Sequence, residues 1–247
     1  MSSVKSALRT VEVLEFFAGN RGMHSLAEVQ QRLGYPKSSL YMLLQTLTEV
    51  GWVETDATGT MYGIGMRALL VGTSYLDGDE IVAAARDVMA WLAETTTETV
   101  HLARLDGIDI VYLATRESQH YLRPMSRVGR RLPAYATSLG KALLAERDDD
   151  EVRAILPPSL TSLTPHTLAS PAAILADLAT TRRRGYAIDH EENVVGLRCF
   201  GAALRSQRPA RDAISCSVPL ARLSKGRDRE IVAALLAARD RLDLLLH

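Results

Sequence analysis

The sequence predicts an α+β chain in two parts. A small N-terminal unit of helix, tight turn and helix is closed by a β-hairpin wing, and a larger C-terminal domain carries helices on an antiparallel sheet. Three observations predict it. Ser25-Leu26-Ala27-Glu28 and Tyr35-Pro36 mark the starts of two short helices separated by a few residues. After Gly51 the apolar period shortens from helical to extended, with Asp56-Ala57-Thr58-Gly59 as the turn between two strands. Beyond Asp77-Gly78-Asp79 the periods run in the order αββ(β)αααββα, which sets an antiparallel sheet against helices.

The N-terminal unit begins with Val4, Ala7, Leu8, Val11, Leu14, Phe17 and Ala18 at helical spacing, a supporting helix that Gly19-Asn20 ends. Ser25 to Glu28 has the capping-box pattern: the serine hydroxyl accepts from an orphan amide, and the glutamate reaches back to the serine amide. Leu26, Val29 and Leu33 give that helix one apolar face, and Gly34 stands where a left-handed cap falls. Proline at position 36 pushes Tyr35 out of the helical region and suits a first helical turn, so the chain turns and restarts as helix over 37–50. There Leu40, Leu43, Leu44 and Leu47 face inward. Lys37, Ser38, Ser39, Tyr41, Met42 and Gln45 are left on or near the outer side as the candidate DNA-binding set, because a groove-reading helix presents small polar residues at its N-terminal end. Trp52 to Thr55 and Thr60 to Ile64 form the wing. Over residues 1–66, Lys5, Arg9, Arg21, Arg32 and Lys37 are balanced by Glu12, Glu15, Glu28, Glu49, Glu54 and Asp56. Affinity for double-stranded operator DNA is therefore expected to be modest per protomer and to need paired units. The same charge balance keeps an alternative open, a small-molecule sensor whose N-terminal domain makes protein contacts.

A connecting helix over Met66 to Leu76 and the break at 77–79 set the expected boundaries: 1–65 for the winged unit, 66–79 for the linker and 80–247 for the C-terminal domain. Ile81 to Thr95 is amphipathic through Val82, Ala85, Val88, Met89 and Leu92. Thr99 to Leu105 and Ile108 to Ala114 read as a hairpin around Asp106-Gly107. Another extended piece is expected from Tyr121 to Val128. Thr137 caps a helix through Leu144, Asp148 to Asp150 open the next one, and Ser170-Pro171 starts a third that ends at Arg182-Arg183-Arg184-Gly185. Strands at Val194 to Leu204 and Ala213 to Val218 and a helix from about Asp228 close the chain.

Composition excludes several classes. With 47% hydrophobic and 23% charged residues the chain is ordinary globular protein, and a net charge of zero gives no global case for membrane surfaces or polyanions. Only two cysteines, Cys199 and Cys216, suit a reducing cytoplasm. Neither a signal-peptide core behind Met1-Ser2-Ser3-Val4-Lys5 nor a membrane-length apolar run is present, so a cytoplasmic protein is expected. The histidines at 24, 101, 120, 166, 190 and 247 lack i, i+4 pairing, and neither a metal nor a cofactor is expected. No GxSxG elbow occurs, and Tyr135 and Ala142 break a phosphate-loop reading of Gly140-Lys141. Asp189-His190-Glu191-Glu192 reads as a solvated loop between two strands with one residue turned into a pocket. The run Arg123, Arg127, Arg130 and Arg131 reads as a solvated face or an inter-subunit contact. What remains is Thr137-Ser138-Leu139 at a helix start, Asp189, Cys199, and Ser215 with Ser217, which share one face of a strand. Such hydroxyls are usually satisfied by backbone; beside a helix N-terminus they make an anion site.

These residues resemble the IclR family of bacterial transcriptional regulators over nearly the whole chain. The likeness lies in Gly34-Tyr35-Pro36-Lys37-Ser38-Ser39 with Leu43, Leu44 and Leu47, and in Gly51-Trp52-Val53-Glu54. It continues in Gly129 to Ala145, in Arg184 to Glu192 and in Ala213 to Pro219. The resemblance implies a winged helix-turn-helix, a linker helix and a GAF-like effector domain, in dimers through the N-terminal domains and often tetramers. Its effector-binding pocket falls on Ser138, Leu139, Asp189, Cys199, Ser215 and Ser217. The implied function is ligand-responsive, sequence-specific regulation of transcription, as a repressor of small-molecule catabolism and not as an enzyme. The helix start after Thr137, with the Ser215 and Ser217 hydroxyls, points to a small carboxylate-bearing effector. Two departures bear on DNA preference: Met42 stands where members often carry arginine, and Thr58 and Thr60 stand where the wing is often basic.

Overall fold

The computed structural model describes residues 4–124 and 126–246. Met1 to Ser3, Met125 within the expected extended piece, and His247 lie outside the described residues. The chain divides at Gly78/Asp79 into two compact units.

The first unit runs α1 (Lys5–Gly19), β1 (His24–Ser25), α2 (Leu26–Leu33), α3 (Lys37–Glu49), β2 (Val53–Thr55), β3 (Met61–Ile64) and α4 (Met66–Asp77). The capping box forms: Ser25 Oγ accepts from the Glu28 amide at 3.3 Å, and Glu28 Oε2 accepts from the Ser25 amide at 2.7 Å. Gly34 then ends α2 at φ +71°. Val13, Phe16, Phe17, Val29, Leu40, Leu44, Leu47, Val53 and Tyr62 form the core. The α1 stripe is narrower than its spacing suggests, because Val4, Leu8 and Val11 are exposed. Strand β1, which the sequence did not suggest, pairs His24 with Tyr62 and Ser25 with Met61. Two residues are too few to show a period. Helix α4 buries no residue, leaving Met66, Leu69, Leu70, Val71 and Tyr75 exposed.

The second unit contains α5 (Glu80–Thr96), β4 (Thr99–Asp106), β5 (Asp109–Arg116), β6 (Arg131–Pro133), a 3-10 turn at Ala134–Ala136, α6 (Ser138–Ala145), α7 (Asp149–Ile155) and α8 (Pro171–Arg184). It continues with β7 (Ala187–His190), β8 (Leu197–Ala203), β9 (Asp212–Pro219), a 3-10 turn at Leu220–Arg222 and α9 (Arg227–Leu245). The sheet is antiparallel throughout, in the order β6-β5-β4-β9-β8-β7. Helices α5 and α9 pack on one face and α6 on the other. Ser170 caps α8 with Pro171 in its first turn, as expected; Asp79 also accepts from the Ile81 and Val82 amides, and Asp148 and Glu151 form a second capping box.

Three sequence expectations are corrected. Among the described residues no strand spans 121–128; the third strand of that edge is β6, which pairs with β5 across Asp109↔Pro133 and Val111↔Arg131. The segment at 194–196 is a turn, and β8 begins at Leu197. Asp189 and His190 lie in a strand, β7, rather than in a solvated loop. That strand was hidden because Asp189 occupies an inward position next to buried Ala187, which reverses the apolar-in, polar-out alternation.

Candidate functional site

The cavity of the second unit exists because glycine lets a helix start rest on the sheet. A Cβ on Gly201 of β8 would lie 2.5 Å from the Ser138 carbonyl oxygen and 2.9 Å from the Leu139 amide nitrogen. A Cβ on Gly140 would meet the Ala134 Cα at 2.2 Å, so the preceding 3-10 turn is equally dependent on glycine. Thr137 caps α6, with its Oγ1 accepting from the Gly140 amide at 3.0 Å and its carbonyl accepting from the Lys141 amide at 2.9 Å. The Ser138 and Leu139 amides, the next two donors of that terminus, have no hydrogen-bond partner among the described residues.

Beneath this helix start, strand register assembles one polar face. Ser215 lies opposite His101 and Gly201, Ser217 opposite Thr99 and Cys199, and Cys199 opposite Asp189. Together with α6 they enclose a cavity of about 40 Å³, room for roughly two or three waters. All six residues singled out for effector binding, Ser138, Leu139, Asp189, Cys199, Ser215 and Ser217, line it.

Sequence reasoning missed several other residues of this wall. Arg130, read as solvated or inter-subunit, lines the cavity. His101 is fully buried, stacked on Tyr112 at 4.6 Å between centroids and 3° between planes, with its Nδ1 3.2 Å from Thr115 Oγ1. Burial, aided by the Arg130 charge, pushes its pKa down to about 3, so the imidazole is neutral. Ser126 Oγ and Asn193 Nδ2 also line the cavity and are buried without a partner among the described residues. No local pattern announces these five, because they come from strands and loops far apart in sequence.

Charge is distributed unevenly around the wall. Burial raises the Asp189 carboxyl to about 7 against the opposing hydrogen bond from the Glu192 amide at 2.7 Å. The Cys199 thiol is held well above its ordinary range by burial and by Asp189, so it is not a thiolate nucleophile. Behind Asp189, fully buried Lys141 Nζ lies 2.5 Å from Glu192 Oε1 and 3.0 Å from Asp177 Oδ2. Glu192 Oε1 also accepts from the His190 amide at 3.3 Å, and Thr167 Oγ1 donates to the Glu192 carbonyl at 2.7 Å. The ion pair thus fixes the turn that carries Asn193. Among the described residues no group of three or more His, Cys, Asp or Glu is placed to hold a metal ion.

In the first unit, α3 exposes Lys37, Ser38, Tyr41, Met42 and Gln45, whereas Ser39 is half-buried. Arg9 of α1, outside the sequence-derived set, donates to Ser39 Oγ at 3.4 Å and lies 4.9 Å over the Tyr35 ring. A second cation therefore stands at the start of α3 beside Lys37. At the wing tip, Asp56 accepts from Thr58 Oγ1 at 2.6 Å and from the Thr60 and Met61 amides, which holds its pKa down to about 2. Thr58 and Thr60 thus organise an acidic turn.

Residues 6–57 match the IclR helix-turn-helix domain, and residues 73–244 match the family described as bacterial transcriptional regulator IclR C-terminal. The chain belongs to the IclR family. The transcriptional repressor IclR of Escherichia coli K12 is 34% identical over 239 residues, 95% of this chain and 87% of the relative. The regulator KdgR of the same organism is 35% identical over 238 residues, covering 96% and 90%. The crystal structure of Thermotoga maritima IclR superposes with a TM-score of 0.74 at 26% identity, covering 98% of each chain. As an IclR-family protein the chain is a ligand-responsive, DNA-binding transcriptional regulator and not an enzyme. The helix-turn-helix match decides against a first unit that makes only protein contacts. Among the described residues no helix is long and apolar enough to cross a membrane.

Proposed function

We propose that this protein is a cytoplasmic repressor of genes for small-molecule catabolism. It reads duplex operator DNA with Lys37, Ser38, Ser39, Tyr41, Met42 and Gln45 and releases it on binding a small carboxylate in the cavity under α6. The names of its relatives, a repressor of Escherichia coli and the acetate operon repressor of Salmonella typhimurium at 32% identity, support the repressor reading. The boundaries that go with it are a winged unit over 1–65, a linker over 66–79 and an effector domain over 80–247.

The observation that carries the ligand class is the set of idle donors around the cavity. Asn193 Nδ2 and Ser126 Oγ are buried without partners among the described residues, and the Ser138 and Leu139 amides open α6. A buried polar group left unsatisfied costs about 1–3 kcal/mol, which a bound acceptor recovers. The dipole of α6 and the Arg130 charge both favour an anion. Asp189, on the β7 side, faces the other end of the ligand and exchanges a hydrogen bond with a hydroxyl or hydrated carbonyl. At about 40 Å³ the cavity admits such a ligand only when its wall moves.

The apolar faces of α1 and α4, with Leu8, Val11, Leu69, Leu70 and Tyr75 exposed, pair two N-terminal units, and effector domains then join dimers into tetramers. Mass spectrometry of ligand carried through purification identifies the effector, and titration calorimetry tests its seat. Ser215→Ala and Ser217→Ala each weaken binding by about ten- to a hundredfold, the equivalent of one hydrogen bond to a charged group. Parental affinity in both variants would place the effector elsewhere.

A further inference from the structure

A second concave surface lies at the far end of β4, four residues and on the order of 13 Å along the strand from His101. Its volume is about 730 Å³, within the range of small-molecule sites. Leu105, Ile155 and Pro209 supply an apolar floor, and Arg147, Arg208 and Arg211 stand around it. Among the described residues no acidic one lines it.

The acids that flank Leu105 and Arg211 in sequence are already taken. Asp106 binds Arg131, and Asp212 accepts from Arg104 Nε at 2.7 Å. The Arg208 and Arg211 guanidinium groups have neither a hydrogen bond nor an ion pair among the described residues. Arg147 is half-buried and, among the described residues, donates only to main-chain oxygens, those of Leu143 at 2.8 Å and Ala210 at 3.3 Å. Burial holds its pKa below the ordinary value, with the Glu146 and Glu151 charges opposing at longer range. In a chain of zero net charge, Arg208 and Arg211 stand at this floor without a paired carboxylate, and Arg147 has Glu146 and Glu151 only at longer range, a local excess of positive charge that an anion would neutralise.

We propose that this cleft is a second ligand site, separate from the cavity under α6, and that it takes an organic phosphate. Guanidinium forks match phosphate oxygens in bidentate pairs, and a phosphomonoester carries about −1.5 to −2 at pH 7, against a single charge on a carboxylate. The apolar floor receives the organic body. The site is independent of the effector reading and stands or falls without it.

The test is calorimetric titration of the full chain with inorganic pyrophosphate and with ADP, at fixed ionic strength. One saturable site per chain is expected for each, tighter for ADP because its base and ribose cover the floor. Arg208→Ala and Arg211→Ala, both exposed and free of structural bonds, lower each affinity about tenfold or more, whereas Ser215→Ala leaves both unchanged. Absence of saturable binding at millimolar ligand overturns the proposal, as does parental affinity in both arginine variants. A loss in Ser215→Ala equal to that in the arginine variants would put the phosphate in the cavity under α6 and refute a second site. Operator affinity that falls in the arginine variants while neither phosphate binds would make the cleft a nucleic-acid surface and refute it too.

Discussion

Replacing Asp189 by asparagine should change how stability depends on pH. The folded-state pKa is raised from 3.8 to about 7, chiefly by burial, and the side chain is only 3% exposed. Between roughly pH 4 and pH 7 the folded protein therefore holds a proton that the unfolded chain has released. The unfolded state binds fewer protons, so stability falls as pH rises through that window, and the penalty is complete above pH 7. Each pH unit is worth about 1.4 kcal/mol, which sets a ceiling near 4 kcal/mol over the window. Asparagine keeps an acceptor for the Glu192 amide but cannot ionise. Urea unfolding of parent and Asp189→Asn from about pH 4.5 to 8.5 should show the parent losing stability relative to the variant as pH rises, with the gap levelling off above pH 7. Parallel curves would mean that Asp189 is ionised throughout and that the cavity is wetter than its burial indicates. The same titration predicts weaker binding of a carboxylate effector above pH 7 in the parent, where a second negative charge enters the cavity, and a flatter profile in Asp189→Asn.

Lys37→Ala should weaken binding to all DNA sequences and lower the salt slope by about one unit per protomer making the contact, while Gln45→Ala should alter sequence preference; unchanged slopes and preferences in fluorescence anisotropy would remove α3 from the groove. Lys141→Met should cost about 3–5 kcal/mol in urea unfolding, because Glu192 and Asp177 lose the cation that compensates them, and a loss under 1 kcal/mol would mean that water already solvates the pair. A fragment of residues 79–247 should fold and bind effector with parental affinity but not bind operator, and an unfolded fragment by circular dichroism would place the boundary elsewhere.

Local physics carried most of the fold into the sequence. A capping box uses residues three apart, so Ser25 with Glu28 can be read without knowing anything distant, and the same holds for Gly34 and for Ser170-Pro171. Strands were legible where an Asp-Gly turn and alternation coincided, as between β4 and β5. They were illegible where pairing alone defines them. β1 is two residues long, and β6 is three and exists because Arg131 to Pro133 meet β5. The region 121–128 looked extended from its composition but finds no partner strand among the described residues, and an extended segment without a ladder is not a strand.

The cavity was less legible, for a reason visible in its construction. Ser215 and Ser217 can be paired on one face from the period of two, but nothing local brings α6 to that face. The contact rests on Gly201, whose only signal in sequence is a glycine inside an apolar run, and that signal marks a close backbone approach without saying to what. Resemblance to the IclR family, not spacing, drew Ser138, Leu139, Asp189 and Cys199 to the serines. Arg130 shows the converse error. It sits in a run of four arginines that behaves as surface charge at Arg123 and Arg131, which pair with Glu117 and with Asp106 and Asp109. One residue before β6, however, the Arg130 carbonyl accepts from the Tyr112 amide at 3.0 Å while the Gly129 amide donates to the Tyr112 carbonyl at 2.8 Å, and this pairing holds Arg130 beside the cavity. A charge run fixes the number of cations, while strand register fixes which one of them faces inward. The same logic applies at the opposite end of β4, where Arg104 is drawn into a pair with Asp79 and Asp212 and Arg211, one residue from Asp212, is left facing the cleft.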